Sequence, residues 1–182
     1  MSKQFQSFDA DHQAFIAAQP IYFVASTAPG ARINLSPKGM DSLRVLGPNR
    51  LIWLNVTGSG NETAAHLPLD ARMTVMWCSF GLRPLILRAY GTARCLHKSD
   101  PEWEAHMKIL PQTPGSRQIF DMRVDLVQTS CGYAVPYMED ARERPTLRTW
   151  AEGKGDAGLT DYWDTRNRQS IDGLPTGIEA NL

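Results

Sequence analysis

Between residues 20 and 130 the chain runs as short apolar stretches broken by turn residues, and few of them carry a helical period. IYFVASTA (21–28) is rich in β-branched and aromatic residues and is followed by Pro29-Gly30, which is how a strand ending in a turn reads. ARINLSP (31–37) alternates, with Ile33 and Leu35 on one face and Arg32, Asn34 and Ser36 on the other, so the two stretches form a hairpin. SLRVLGPNRLIWLNV contains a short strand, a Gly-Pro-Asn turn and a strong strand from Leu51 to Val56. MTVMWCSF (73–80) is a nearly continuous apolar strand. RPLILRAYGTARCLH (83–97) is another, with a bulge expected at Gly91. RQIFDMRVDLVQTS (117–130) alternates imperfectly through Ile119, Met122, Val124 and Leu126 and reads as the last core strand.

Helical signals are fewer. DADHQAFIAAQ (9–19) can be capped by Asp9 or Asp11, offers Phe15, Ile16 and Ala18 as an apolar side, and ends at Pro20. In DPEWEAHMKIL (100–110) Asp100 is the expected cap, Pro101 the first helical residue, and Trp103, Met107 and Leu110 the buried stripe. NETAAHLPLDAR offers Asn61 as an N-cap and Glu62 in the first turn, with Pro68 limiting the helix to a turn or two. The tail, 131–182, is polar, with weak helical segments at PTLRTWAEG and LTDYWDTRNRQS. A parallel sheet would need a helix between each pair of strands, and those are missing. The pattern therefore predicts a mainly β fold with peripheral helices, an antiparallel barrel formed by a single domain over 1–182. Residues 131–182 form an extension on the barrel or on a dimer partner.

Composition narrows the function classes. Acidic and basic residues balance at 19 each, without the basic excess of a nucleic-acid binder. No apolar run reaches the length of a membrane span, and the N-terminus lacks a signal-peptide core, so a soluble cytoplasmic protein is expected. Cys78, Cys95 and Cys131 are odd in number and form no CxxC pair, which fits reduced, mostly buried thiols. The four histidines show no metal-ligand spacing, so no metal is expected.

Several stretches carry candidate chemistry. In VTGSGNETAAHL (56–67), Gly58, Gly60 and the turn after Asn61 offer backbone N–H groups to an anion, and Thr57, Ser59 and Thr63 add hydroxyls. The same residues also fit a plain Gly-Ser turn. The loop contains no Lys or Arg, and it is neither a Walker loop nor a dinucleotide fingerprint. Lys38, in NLSPKG, would reach an anion there if its strand lies beside Leu51–Val56; otherwise it is a turn lysine. Arg83 and Arg88 flank a core-like strand and need partners or a ligand. Cys131 has no His-and-acid arrangement near it and reads as a buried strand-end thiol. Ser170 and Asp172 in RNRQSIDGLP read as turn residues. With no catalytic triad, acid pair or metal cluster visible, any redox chemistry would fall to a bound cofactor.

Taken in order, IYFVASTAPGARINLSPKG, RLIWLNVTGSGNETAAHL, RMTVMWCSF followed by LILRAYGTAR, VQTSCGYAVPYM and SIDGLP resemble the pyridoxamine 5′-phosphate oxidase-like, FMN-binding split-barrel proteins, with closest likeness to a bacterial branch. The resemblance covers about residues 20–175. It implies a six-stranded split barrel, usually a homodimer, with FMN at sites across the subunit interface. Asn34, Ser36 and Lys38 would line the flavin ring and ribityl chain, Asn55, Val56 and Thr57 would follow on the next strand, and Ser59, Gly60, Asn61 and Thr63 would meet the phosphate. The oxidase itself has a basic Ser-Arg-Lys-Gly loop here, whereas this chain reads Asn61-Glu62-Thr63-Ala64. Lys38, Arg88 or backbone N–H groups would then have to supply the charge. The oxidase's substrate-phosphate residues are not recognisable, so pyridoxal phosphate synthesis is not expected. The resemblance implies an oxidoreductase acting on a small-molecule substrate or reductant. The alternatives are a flavin-binding or sensor module without turnover, or a deazaflavin- or haem-binding relative in the same barrel.

Overall fold

The computed structural model describes residues 2–182. Its elements are β1 (Lys3–Phe5), α1 (Ala10–Ala17), β2 (Tyr22–Ser26), β3 (Asn34–Lys38), β4 (Leu43–Gly47), β5 (Arg50–Val56), α2 (Glu62–His66), β6 (Arg72–Cys78), β7 (Ile86–Leu96), α3 (Trp103–Met107), β8 (Ser116–Ser130), α4 (Thr146–Arg166) and a final 3-10 turn, Ile178–Asn181. The strands form one antiparallel sheet in the order β3-β2-β6-β7-β8-β5-β4, with β1 added on β8. Seven strands lie between residues 20 and 130, against the six or seven that the sequence pattern predicts and the six-stranded barrel that the resemblance implies. The eighth, β1, is only three residues long and carries no strand pattern of its own.

The sheet curls into a barrel because its strands are apolar on the inner face. Val24, Leu51, Trp53, Val75, Trp77, Leu87, Phe120 and Val127 fill the interior, with Trp53 stacked on Phe120 at 4.4 Å between ring centroids. β5 is buried on both faces. Leu51 and Trp53 point inward, while Ile52 and Leu54 pack with Ile119 under Trp103, Met107 and Leu110 of the α3 segment. The two-residue period of a strand sends neighbours to opposite faces, so the continuous run LIWL marks a strand covered on both sides. The ends of the path, β3 and β4, do not pair. Residues 39–42 bridge them, and a 2.8 Å hydrogen bond joins the Tyr22 hydroxyl on β2 to Ser42 Oγ. This unpaired gap is the split in the barrel.

Several local expectations change. Asp9 caps α1 in a capping box with His12, but His12 rather than Ala18 joins Phe15 and Ile16 on the buried side. Asp100 does not cap α3, because its carboxylate accepts the His97 N–H at 2.6 Å and the helix begins two residues later than expected. The alternation of β3 holds with its apolar face outward: Ile33 is 79% exposed and Leu35 64%. Cys78 is buried, Cys95 partly so, and Cys131, placed just past the end of β8, is exposed. α4 joins both weak helical segments through a break at Gly155 (φ 63°). It packs Ala151, Leu159 and Trp163 against Ile178. Among the described residues no helix is long and apolar enough to cross a membrane.

The expected bulge at Gly91 is present, as a register shift between β7 and β8. A Cβ there would lie 1.9 Å from the Arg123 carbonyl oxygen and 2.9 Å from its carbon, both backbone atoms that cannot yield. Gly91→Ala is therefore expected to cost at least about 3 kcal/mol, the upper range of overpacking, read as a lowered urea midpoint or as loss of soluble protein.

Candidate functional site

A cavity of about 400 Å³ opens in the gap between β3 and β5, within the range of about 300–1,000 Å³ common for small-molecule sites. Asn34, Ser36 and Lys38 enter it from the inward face of β3, Asn55 and Val56 from β5, and Thr57 to Thr63 close one end. Met40 and Asp41 turn the chain from β3 to β4 with φ of 61° and 51°. That left-handed pair is held by Arg44, whose guanidinium makes two 2.8 Å bonds to the Asp41 carboxylate. Every residue that the sequence and the resemblance pointed to lines this cavity except Arg88. Arg88 lies on β7, opposite Met76 and Gln128, and its Nη1 donates to Ser130 Oγ at 3.2 Å. The strand order places it away from the gap, and it does not line this cavity.

The second cation is Arg117, which sequence reading passed over as the first residue of a core strand. Opposite β5, Asn55 pairs with Gln118 and Val56 with Ser116, leaving Arg117 as the extra residue of a bulge. A bulge re-aims the side chain it carries, here into the cavity wall. Arg117 is only 2% exposed. Its Nη2 donates to the Gly60 carbonyl at 2.7 Å, and its Nη1 to Asn167 Oδ1 at 2.6 Å and more weakly to the Gly58 carbonyl at 3.4 Å. Its Nε has no partner among the described residues. All its acceptors are neutral oxygens, and burial pulls its pKa down to about 10. Lys38 lies with Nζ 5.1 Å from the centre of the Trp53 ring. Burial first, and the charge of Arg117 second, lower its pKa to about 8. Neither cation is paired with a carboxylate among the described residues.

The loop itself is more committed than its composition suggests. Thr57 does not offer its hydroxyl to the cavity: it donates to the Gly115 carbonyl at 2.8 Å and accepts the Trp163 indole N–H at 2.8 Å. Gly115 (φ 79°) is needed there, since a Cβ would lie 3.1 Å from Thr57 Oγ1. Asn61 occupies the N-cap position of α2 without capping it. Its Oδ1 instead accepts from Asn55 Nδ2 at 3.2 Å, which also donates to Gln118 Oε1 at 2.9 Å. Asn61 Nδ2 is buried without a partner. Asn34 donates to Thr63 Oγ1 at 3.2 Å, and Ser26 and His66 continue this network at 3.1 Å. Glu62 turns to the tail, where both carboxylate oxygens accept the Ile171 N–H at 3.1 Å. Cys131 remains outside this constellation, and Ser170 makes the expected turn, accepting from the Asp172 and Leu174 N–H groups.

The comparisons with known proteins agree with this architecture. No protein-family model matches the chain. It is 34% identical, over 190 aligned positions, to ustO of Aspergillus flavus, a pyridoxamine 5′-phosphate oxidase family protein; the match spans 94% of this chain and 76% of that one. HupZ of Group A Streptococcus shares the fold at a TM-score of 0.56 with 16% identity, over 67% of this chain and 98% of the other. So does a candidate pyridoxamine 5′-phosphate oxidase of Lactobacillus delbrueckii, at 0.52 and 17%, over 68% and 94%. With the split antiparallel barrel and a relative at that identity over nearly its whole length, the chain belongs to the pyridoxamine 5′-phosphate oxidase family.

Proposed function

We propose that this protein binds FMN in the cavity between β3 and β5, with the cofactor phosphate between Lys38 and Arg117, and acts as an oxidoreductase on a small-molecule substrate or reductant. One observation carries the reading: two cations without a carboxylate partner among the described residues, buried Arg117 and half-buried Lys38, line the same cavity as the unpartnered Asn61 Nδ2. An uncompensated buried charge costs several kcal/mol, and a phosphate monoester carries close to two negative charges near pH 7. The donor set therefore fits a phosphate, with the charge supplied from β3 and β8 instead of from the loop. Leu54, Val56 and Met40 add apolar wall and the amides of Asn34 and Asn55 add polar contacts, as orientation of a flavin ring requires.

Bound flavin would supply hydride-accepting chemistry at its N5, leaving binding and orientation to the protein. That division suits a cavity whose only lining carboxylate among the described residues, Glu62, is already bonded to the tail. The outward face of β3 supports a homodimer with the site at the interface: Leu35, on the strand whose alternate residues line the cavity, and Ile33, just before it, are exposed.

Titration of the purified protein with FMN, followed by quenching of flavin fluorescence, tests the reading directly. Saturable binding and anaerobic bleaching by NADH or NADPH are expected. Binding without bleaching by any donor would identify a flavin module without turnover, and no binding would overturn the assignment. Lys38→Ala and Arg117→Met are each expected to weaken FMN at least about tenfold, as loss of a charge-assisted hydrogen bond does.

Lys38 also sets the pH dependence. Phosphate favours its protonated form, so FMN affinity should fall as pH rises through about 8, and Lys38→Ala should flatten that fall. In the free protein the sign reverses. The unfolded chain holds the Lys38 proton up to about 10.5 and the fold releases it at about 8, so the unfolded state binds more protons between those values. Stability then rises with pH across that interval. The urea midpoint of ligand-free protein should show this rise, and Lys38→Ala should lose that part of it.

Light scattering on a sizing column checks the interface. The wild-type chain is expected to run as a dimer, and Leu35→Lys as a monomer that retains its circular dichroism spectrum.

A further inference from the structure

The segment from Trp163 to Ile171 touches the cavity loop at each successive step. Trp163 donates its indole N–H to Thr57 Oγ1 at 2.8 Å. Asn167, fully buried at the C-terminus of α4, donates its Nδ2 to the Gly58 carbonyl at 3.1 Å and, at the limit of 3.5 Å, to the Ser59 carbonyl. Its Oδ1 accepts from Arg117 at 2.6 Å. Ile171 closes the series by donating its N–H to Glu62. The contacts of Trp163, Asn167 and Ile171 with the loop join parts of the chain more than a hundred residues apart, and they follow it from Thr57 to Glu62.

We propose that the C-terminal segment 163–171 is a clamp that makes the loop an anion site, with Asn167 as the positioning residue for Arg117. The inference rests on the assignment of this cavity to a phosphate-bearing cofactor. Two physical consequences of the clamp point the same way. The first concerns the backbone. A trans peptide directs its carbonyl and the following N–H in opposite directions. Binding the Gly58 and Gly60 carbonyls to Asn167 and Arg117 therefore turns the N–H groups of Ser59 and Asn61 away from the tail. Neither N–H has a protein acceptor among the described residues. Free N–H groups that face one side of a loop in this way can donate together to one anion.

The second concerns charge. Asn167 holds the guanidinium with a neutral oxygen. A carboxylate in that place would fix Arg117 equally well but would neutralise the charge the ligand needs. Glu62 is treated in the complementary way: its carboxylate, although it lines the cavity, is engaged by the Ile171 N–H. The same segment thus turns donors and a cation toward the ligand and engages the loop's one acid.

The test compares FMN with riboflavin, which lacks the phosphate, on the wild type, Asn167→Ala, Asn167→Asp and Trp163→Phe. A positioning role predicts an effect specific to phosphate. Asn167→Ala and Asn167→Asp should each weaken FMN at least about tenfold, the scale of one charge-assisted contact, while riboflavin changes less than twofold. Asn167→Asp should show the larger loss. Trp163→Phe removes one N–H and keeps the packing, and should shift the FMN-to-riboflavin ratio in the same direction. Equal losses for both flavins would mean general loosening of the fold and would overturn the clamp, as would unchanged FMN affinity in all three variants. If the wild type binds neither flavin, the cofactor assignment fails by itself. Stabilisation of the wild type by inorganic phosphate, seen as a raised melting temperature and absent in Asn167→Asp, would then still uphold the clamp; no such stabilisation would overturn it.

Discussion

The site depends on one buried guanidinium that no carboxylate among the described residues pairs with. Arg117 is held by the carbonyls of Gly58 and Gly60 and by the amide oxygen of Asn167. Dipoles of this kind satisfy N–H groups and leave the net charge in place, so the desolvation cost of the cation remains until an anion arrives. Burial first, and the charge of Arg117 second, bring the pKa of nearby Lys38 down to about 8. A protein selected for stability alone would have placed an acid or an apolar side chain here. Retaining two repelling cations in one cavity is the stability–function compromise expected of a binding site.

That arrangement explains features that otherwise look unrelated. The bulge in β8 exists opposite the last pair of β5 and turns Arg117 out of the alternation that its neighbours obey. The unpaired edges of β3 and β4 leave the opening, and the left-handed turn at Met40 and Asp41 carries the chain across it without closing it. The C-terminal extension supplies Asn167 and Trp163, so the loop is held by residues that the barrel itself does not contain.

The sequence made the strands legible because the two-residue period is a local property, and Pro29-Gly30, Pro48-Asn49 and Gly91 punctuate it with turn or bulge chemistry. The region of the site was legible too, through the order of the stretches around VTGSGNETAAHL. The individual roles were not. Thr57, Asn61 and Arg88 have the right chemistry for an anion site, but their hydrogen bonds go to Gly115, Asn55 and Ser130, partners fixed by tertiary packing. Arg117 was hidden for the converse reason. An arginine at a strand start reads as solvated, and its burial follows from a register shift and from Asn167, fifty residues away. The one available signal was the imperfect alternation of RQIFDMRVDLVQTS, which marks a strand interrupted by bulges.

The missing basic residues of the loop can now be interpreted physically. A cation carried on a glycine-rich loop must be ordered each time a ligand binds, and ordering a long side chain costs up to about 2 kcal/mol. Lys38 and Arg117 are carried by paired strands, and Arg117 is held by three hydrogen bonds without any ligand, so less of that cost falls on binding. Pre-organisation shifts the cost to the fold, because buried like charges destabilise the empty protein. It also makes the site depend on the tail, since Arg117 is aimed by Asn167 and the loop carbonyls together. In the proposed site the cations sit on the barrel strands and not on the loop, and the C-terminal extension holds one of them in place.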